Sequence, residues 1–522
     1  MIRPLFLTTL LLAGLPLLFA KSPNVILIFA DDLGYGDLGC YGATHVRTPN
    51  IDQLAKEGRR FTDAHSASAV CTPSRYALLT GSYPSRAKGG EGLWGPAPIN
   101  SPLLIAPDTF TLADLFQKEG YATAALGKWH LGFGEEANDW QPPLRPGPQD
   151  LGFDFYFGLP VVNSAPPYLY VENDRFVGED PDDPLIFIGR KRHSEATPIT
   201  PIPKEASQRT ANQFKGARRA HEHYNDYEVG TVLTEKATAW ITTHRQQPFF
   251  LYLATTHIHH PFTPAPRFQG TSEAGLYGDY IHELDWMVGE ILTCLEENQL
   301  TEDTLVIFTS DNGGMLNSGG RVAVQKGHLP NGDLLGFKFG AWEGGHRVPF
   351  IARWPGKIPP TTVSPQLLSH LDLMATLHAA LGKEKPPQAG PDSLNLLPAL
   401  TEEPSLPLRE ELLLAAHRPS HLSLRQGPWM YIPARGSGGF TGSKPSHHAW
   451  GGPPAVAFVQ GKNSDLKDGK LRQDAPPAQL YNLAEDPNQR ENLYHSYPDK
   501  VREMATRLDQ LTPENPASSS KK

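Results

Sequence analysis

The segment NVILIFADD, residues 24–32, decides the fold prediction, because six apolar residues follow Asn24 and end abruptly in two aspartates. An apolar run without polar alternation is typical of a strand covered on both faces in a parallel sheet. Side chains that follow such a strand lie at the carboxyl edge of the sheet, where α/β proteins bind their ligands. Asp31 and Asp32 are therefore candidate functional residues.

Three later segments repeat this pattern of a short apolar run that ends in polar residues. They are 122–126, followed by Gly127, Lys128, Trp129 and His130; Phe249–Ala254, followed by 255–260; and 304–309, followed by Ser310, Asp311 and Asn312. Helical periodicity lies between them, at 112–119, about 226–243 and 280–297. The alternation predicts an α/β fold with a large, mostly parallel central sheet flanked by helices.

Four oxygen-bearing side chains come directly after the first and last of these strands: Asp31, Asp32, Asp311 and Asn312. Taken singly, each is more often an ordinary loop residue. Together they offer only hard oxygen donors, which suit Ca²⁺ or Mg²⁺ and disfavour zinc. Crowded carboxylates would also repel one another without a cation. The sequence therefore predicts a divalent cation site at this edge.

The stretch SASAVCTPSRYALLTG, residues 66–81, places Cys71 at the start of a predicted helix, with Pro73 in its first turn and Gly81 as its carboxyl cap. The helix dipole there favours an anion, and Arg75 lies one turn further on. A thiolate phosphatase loop needs five residues between cysteine and arginine, and position 77 is alanine. A metal thiolate is also disfavoured, because no second Cys or His stands at ligand spacing.

Residues 1–20 combine an early Arg3, a short apolar stretch broken by Pro16, and a small residue at Ala20, which predicts a signal peptide. We expect export to the periplasm or the extracellular space, and not an integral membrane protein. The net charge of -9 opposes a nucleic-acid partner. If Cys71 is functional, Cys40 and Cys294 are either bridged or buried thiols, and we favour buried thiols.

Composition divides the chain after the signal peptide into two parts. We expect a catalytic domain over 21–385 and a smaller α+β subdomain over 386–515, built on an antiparallel sheet and closed by a helix at 498–511. Residues 516–522 read as a disordered tail. A proline-rich stretch from about 163 to 219 looks inserted, and loops in that position tend to shape a substrate pocket.

Ordered motifs along the chain resemble those of the type I, formylglycine-dependent sulfatases. These motifs are DDLGYGD (31–37), AVCTPSRYALLTG (69–81), GYATAALGKWH (120–130), DNGG (311–314), WEGGHRVP (342–349), LYNL (480–483) and DP (486–487). The resemblance covers nearly the whole chain after the signal peptide. Within the family, the chain is similar to arylsulfatases and N-acetylgalactosamine-6-sulfatases. It implies the alkaline-phosphatase-like fold and hydrolysis of sulfate esters.

The resemblance also implies roles for matching positions. Cys71 would be oxidised to formylglycine by a maturation enzyme, and its hydrate would attack sulfur. Asp31, Asp32, Asp311 and Asn312, together with residue 71, would hold one Ca²⁺, with Mg²⁺ the less expected ion. Arg75 and Lys128 would fix the nucleophile, and His130 would accept a proton. Lys338, five positions before Glu343, would bind sulfate.

The sequence leaves more than one residue open at two further positions. The family pattern His-x-Pro favours His259 as the acid for the leaving group, with His257 as second choice. Relatives often place a polar sulfate contact near 163–164, where Asn163 and Ser164 both remain open. The expected substrate is a sulfated glycan, an expectation that rests on analogy.

Two rival functions stay open at this point. One is a phosphomonoester or phosphodiester hydrolase on the same fold, which would want a second metal and more acidic or histidine ligands. The other is a non-catalytic glycan-binding protein in which Cys71 stays a thiol.

Overall fold

The computed structural model describes residues 22–189, 193–440 and 450–512. The predicted signal peptide and the predicted tail at 516–522 lie outside the described residues. Within them, no helix combines the length and the apolar character needed to cross a bilayer.

A mixed sheet of ten strands forms the centre of the described chain. In chain order the strands are β1 (Asn24–Ala30), β2 (Arg59–Phe61), β3 (Ala122–Lys128), β4 (Phe155–Leu159), β5 (Val171–Glu172), β6 (Arg175–Phe176), β7 (Phe249–Ala254), β8 (Thr304–Ser310), β9 (Phe350–Arg353) and β10 (Thr362–Ser364). Across the sheet they run β10-β2-β9-β8-β1-β7-β3-β4-β5-β6. The five strands from β8 to β4 are mutually parallel, whereas β9, β5 and β6 introduce antiparallel pairs. The predicted α/β fold is confirmed.

Helices cover both faces of this sheet. In chain order, the helices of the described residues are α1 (Pro49–Glu57), α2 (Cys71–Thr80), α3 (Leu112–Lys118), α4 (Arg218–Glu222), α5 (Val229–His244), α6 (Leu276–Glu297), α7 (Ser318–Gln325), α8 (Glu343–His346), α9 (Leu373–Ala380), α10 (Leu397–Thr401), α11 (Gly452–Phe458) and α12 (Pro498–Leu511). Alternate residues of β1 enter two different cores, Val25, Leu27 and Phe29 in one and Ile26 and Ile28 in the other. This two-sided burial explains why the strand is apolar throughout.

Two predicted strands are longer in the structure. The strand predicted over 122–126 continues to Lys128, and the one over 304–309 continues to Ser310. Gly127 permits the first extension, since it has a φ of 106° and a Cβ there would lie 1.9 Å from the carbonyl oxygen of Ala254. The close approach of β3 to β7 keeps Lys128 inside the sheet.

Two predicted helices begin at different residues for local reasons. The helix predicted from about 226 begins at Val229, because Asp226–Glu228 forms a separate 3₁₀ turn whose amide hydrogen at Tyr227 is capped by Asn225. The helix predicted from 280 begins at Leu276, after Gly275 turns the chain with a φ of 70°. Helix α2 ends as predicted, with Gly81 in the left-handed conformation.

A separate antiparallel sheet near the carboxyl end has the strand order β11 (Glu411–Leu414), β12 (Ser423–Gln426), β13 (Trp429–Ile432) and β14 (Gln479–Asn482). Helix α12 packs against β12 and β13. The predicted smaller antiparallel sheet with a closing helix is confirmed, whereas the domain limits stay predictions.

The structure also shows the strands of the inserted stretch and the state of the three cysteines. The insertion supplies β5 and β6, and Ile186–Phe187 pairs with Phe214–Lys215. None of the three cysteines is bridged; Cys294 is buried as expected, and Cys40 is only partly buried.

Candidate active site

Three carboxylates meet where β1 and β8 end side by side. The two strands pair in parallel with Ala30 opposite Ser310, so the residues that follow them emerge together. Ligand oxygens of Asp31, Asp32 and Asp311 lie within 4.8 Å of one another, and all three side chains are buried. The predicted convergence of strand ends is therefore present in the structure.

Several oxygens of this cluster have no hydrogen-bond partner, although they are buried. They are Oδ1 of Asp31, Oδ2 of Asp32 and Oδ1 of Asn312. An unsatisfied buried polar atom costs about 1–3 kcal/mol, and more when it is charged. A hard cation bound to these oxygens would remove that cost, and carboxylate and amide oxygens are the donors that Ca²⁺ and Mg²⁺ prefer. The residues present therefore fit such an ion.

Three buried cationic side chains surround the carboxylates. Arg75 donates to Oδ2 of Asp311 from Nη2 at 2.9 Å, and Lys128 Nζ lies 2.7 Å from Oδ2 of Asp31. Lys338 Nζ pairs with Oδ1 of Asp32. Burial alone would lower the pKa of Lys338, but Asp32 and its neighbours outweigh burial and raise it. Three negative and three positive groups thus balance one another in this cluster.

The side chain of Cys71 lies beside this cluster at the start of α2. It is only 2% exposed, and its Sγ lies 3.5 Å from Nδ1 of His130. Thr72 Oγ1 donates to the carbonyl oxygen of His130, which ties the helix to the segment after β3. Burial, followed by the charges of Lys128, Arg75 and Lys338, holds the pKa of His130 well below 6.5. His130 is therefore a neutral imidazole, and its Nδ1 can accept a proton from a group at the position of the Cys71 Sγ.

The segment that leads into α2 is held from three sides. Residues after β11 pair with it, since the amide of Ala69 donates to the carbonyl of Ala415 at 2.8 Å. The amide of Phe339 donates to the carbonyl of Ala69 at 2.7 Å. Ser66 and Ser74 both donate to the main-chain carbonyl of Asp311, the former at 2.7 Å. Sequence reasoning did not single out these two serines, because nothing in their spacing shows that they face the chain after β8.

The structure separates the two candidate histidines for the leaving group. His259 lines the cavity above Cys71, and its Nε2 lies 3.8 Å from Oδ2 of Asp32. His257 is fully buried, with Nε2 3.4 Å from Glu283 and its ring packed on Tyr280. Of these two histidines, His259 is the one placed where it could reach a bound ester.

A cavity of about 410 Å³ opens over Cys71. His130, His259 and Lys338 form its polar floor, and the insertion supplies part of its wall. The insertion residues that line it are Ser164, Ala165, Gln208, Arg209 and Thr210. Arg209 is not a free charge there, because it pairs with Asp226 and lies over the ring of Tyr168. Asn163 is buried behind the wall and contacts His259.

A second buried group of side chains with metal-binding atoms consists of His65, Glu343 and His346. Its members already have protein partners: His65 pairs with Asp63, and Arg347 pairs with Glu343. None of the three lines the cavity over Cys71. This group braces the chain around α8 and does not extend the cation site.

Comparison with known proteins agrees with this geometry. The sequence profile of the sulfatase family matches residues 23–383. An N-acetylgalactosamine-6-O-sulfatase of Bacteroides thetaiotaomicron is 37% identical over 508 residues, which cover 94% of this chain and 93% of that protein. Human arylsulfatase A is 33% identical over 514 residues, with 97% of this chain and 90% of that protein covered.

Solved structures give the same result. A sulfatase structure from a study of glycosaminoglycan metabolism by Bacteroides thetaiotaomicron superposes with a TM-score of 0.81 at 35% identity, covering 94% of this chain and all of that one. The sequence profile and the fold thus match one family. The chain belongs to the sulfatase family, whose members hydrolyse sulfuric esters.

Proposed function

We propose that the protein removes sulfate from a carbohydrate ester, using formylglycine made from Cys71 and one bound Ca²⁺. The observation that carries this proposal is the arrangement around Cys71: three unpartnered oxygens for a cation, three buried cationic groups, and a cavity lined by His130 and His259 among others. A sulfate group needs such surroundings, because its negative charge must be balanced where water is excluded.

Residue 71 would act as the nucleophile. As the hydrate of formylglycine it supplies two hydroxyls on one carbon, of which one attacks sulfur and the other later expels sulfate by reforming the aldehyde. The Sγ of Cys71 marks where that carbon's oxygens would lie. His130 Nδ1, at 3.5 Å, is placed to take the proton of the second hydroxyl, so that the carbon–oxygen bond to sulfate breaks.

The remaining groups would bind and orient the ester. Lys338 and Lys128 offset the charge of the sulfate oxygens, and Arg75 holds Asp311 in place. When the bond between sulfur and the ester oxygen breaks, its electron pair goes to that oxygen, which takes a proton from His259. Asp31, Asp32, Asp311 and Asn312 would hold Ca²⁺ with residue 71, and this ion supplies positive charge to the sulfate. Mg²⁺ is the weaker candidate for the same donors.

A sulfated glycan is the substrate class we propose. Its support is the relative of Bacteroides thetaiotaomicron that is named for N-acetylgalactosamine 6-O-sulfate, which aligns over 93% of its length. The cavity wall offers Ser164, Gln208 and Thr210, whose neutral polar groups suit sugar hydroxyls. We further propose that the chain is exported to the periplasm or beyond and is matured by a formylglycine-generating enzyme.

The proposal is tested by comparing matched esters on protein purified from a host that has the maturation enzyme. We expect faster release of sulfate from 6-O-sulfo-N-acetylgalactosamine than of phosphate from the 6-phosphate. Cys71→Ala should abolish sulfate release, whereas Cys294→Ala, which removes a buried thiol elsewhere, should not. Faster phosphate release would favour the phosphoester hydrolase, and glycan binding without turnover would favour the binding protein.

A further inference from the structure

The side chain of Asn163 contacts both the backbone and the imidazole ring of His259. Its Nδ2 donates to the carbonyl oxygen of His259 at 3.1 Å, and its Oδ1 lies 3.2 Å from Nδ1 of the same residue. The first contact fixes the amide orientation, because only the nitrogen can donate to a carbonyl. The oxygen therefore faces the imidazole as an acceptor, and Asn163 is itself only 2% exposed.

A second acceptor meets the same ring nitrogen. The carbonyl oxygen of His260 lies 2.6 Å from Nδ1 of His259. Two acceptors around one nitrogen require that this nitrogen carries the hydrogen. Nε2 is then the nitrogen left for proton exchange, and it is the one that lies on the cavity side, 3.8 Å from Oδ2 of Asp32. Rotating the ring by half a turn would lose both acceptors.

From these contacts we propose that Asn163 is a positioning residue for the reaction, which keeps Nε2 of His259 directed at the ester oxygen. The inference rests on the proposed function. His259 enters this step as the imidazolium, with a hydrogen on each ring nitrogen. As the bond between sulfur and the ester oxygen breaks, the electron pair goes to that oxygen, which takes the proton from Nε2. His259 is left as the neutral imidazole whose remaining hydrogen, on Nδ1, faces Asn163 and the His260 carbonyl. Asn163 does not line the cavity and so acts only through His259.

The expected signature is a change in how the rate depends on the leaving group. A sugar alcohol is a poor leaving group and needs the proton, whereas 4-nitrophenolate leaves without it. We expect Asn163→Ala to lower kcat on a 6-O-sulfated sugar by about 10–100-fold, the usual effect of misplacing a catalytic group. On 4-nitrophenyl sulfate the loss should stay within about threefold. His259→Ala should give the same pattern with a larger loss, as expected of an acid worth about 10²–10⁴-fold.

Two variants separate positioning from stability. Asn212→Ala removes another buried asparagine, 4% exposed, whose side chain joins the main chain at Thr197 and Phe214 away from the cavity. It should lower thermal stability and leave the ratio of sugar to nitrophenyl rates unchanged. Asn163→Asp keeps an acceptor for Nδ1 and should retain most of that ratio.

The outcomes are distinct. An equal loss on both substrates in Asn163→Ala would make Asn163 merely structural and overturn the inference. A shifted ratio in His259→Ala without one in Asn163→Ala would also overturn it, while the proposed function would stand. A wild-type protein that releases sulfate from neither ester would contradict the proposed function itself.

Discussion

Replacing Arg75 by methionine should make the stability of the protein strongly dependent on calcium. The guanidinium is fully buried and pairs with Asp311, with Asp31 3.8 Å away. Its removal changes the balanced cluster of three carboxylates and three cations to a net charge of −1. Breaking a buried ion pair from one side costs about 3–5 kcal/mol. For 522 residues the unfolding entropy is about 1.1 kcal/mol/K, so Tm should fall by about 3–5 °C in chelator.

Added Ca²⁺ should recover part of that loss, because the extra negative charge favours the cation. The rise in Tm from chelator to millimolar Ca²⁺, measured by calorimetry, should therefore be larger in Arg75→Met than in wild type. Arg409→Met is the matched control: that arginine is also buried and pairs with a carboxylate, Asp372, outside the site. It should lower Tm equally with and without Ca²⁺. Equal calcium gains in wild type and Arg75→Met would refute the charge argument.

Three further predictions follow from other buried groups. Burial holds the pKa of His370 at about 3, against about 6.5 in the unfolded chain. The unfolded state therefore binds the proton more strongly, and the free energy of unfolding falls as the pH drops from 6.5 to 4. In denaturant titrations, His370→Gln should reduce that fall by about 1.4 kcal/mol per pH unit, and an unchanged slope would contradict this. Gly127→Ala should lower both Tm and activity, since its Cβ would meet the carbonyl of Ala254 at 1.9 Å; wild-type values in both would be the opposing result. Lys338→Met should lower kcat/KM for sulfate esters by about 10²–10³-fold while tightening Ca²⁺ binding in calorimetric titrations, because Asp32 loses its cationic partner; weaker Ca²⁺ binding would count against the pairing.

Much of the fold follows from local sequence pattern. The runs Asn24–Ala30 and Phe249–Ala254 are apolar at every position after the first because both faces of the sheet are covered, so period and length were enough to place them. Gly81 and Pro73 likewise marked the two ends of α2. The short edge strands Val171–Glu172 and Arg175–Phe176 could not be predicted, since two-residue pairing in a loop leaves no periodic signal.

The residues of the site were likewise predicted only in part from the sequence. Residues that follow strands or belong to ordered motifs, such as Asp31, Asp311 and Lys128, were predicted and meet in space. Ser66 and Asn163 were not assigned, because their partners lie far away in sequence, at Asp311 and His259, and only the folded chain brings them together. His257 and His259 could be separated only by the fold, which buries one against Glu283 and turns the other to the cavity.

The chemical state of residue 71 tests the central claim most directly. Protein secreted by a host with the maturation enzyme should be digested, and the peptide that carries residue 71 weighed by mass spectrometry alongside an assay of sulfate release. The account predicts the mass of the aldehyde or its hydrate at position 71, in proportion to activity. An intact thiol in fully active protein would contradict it.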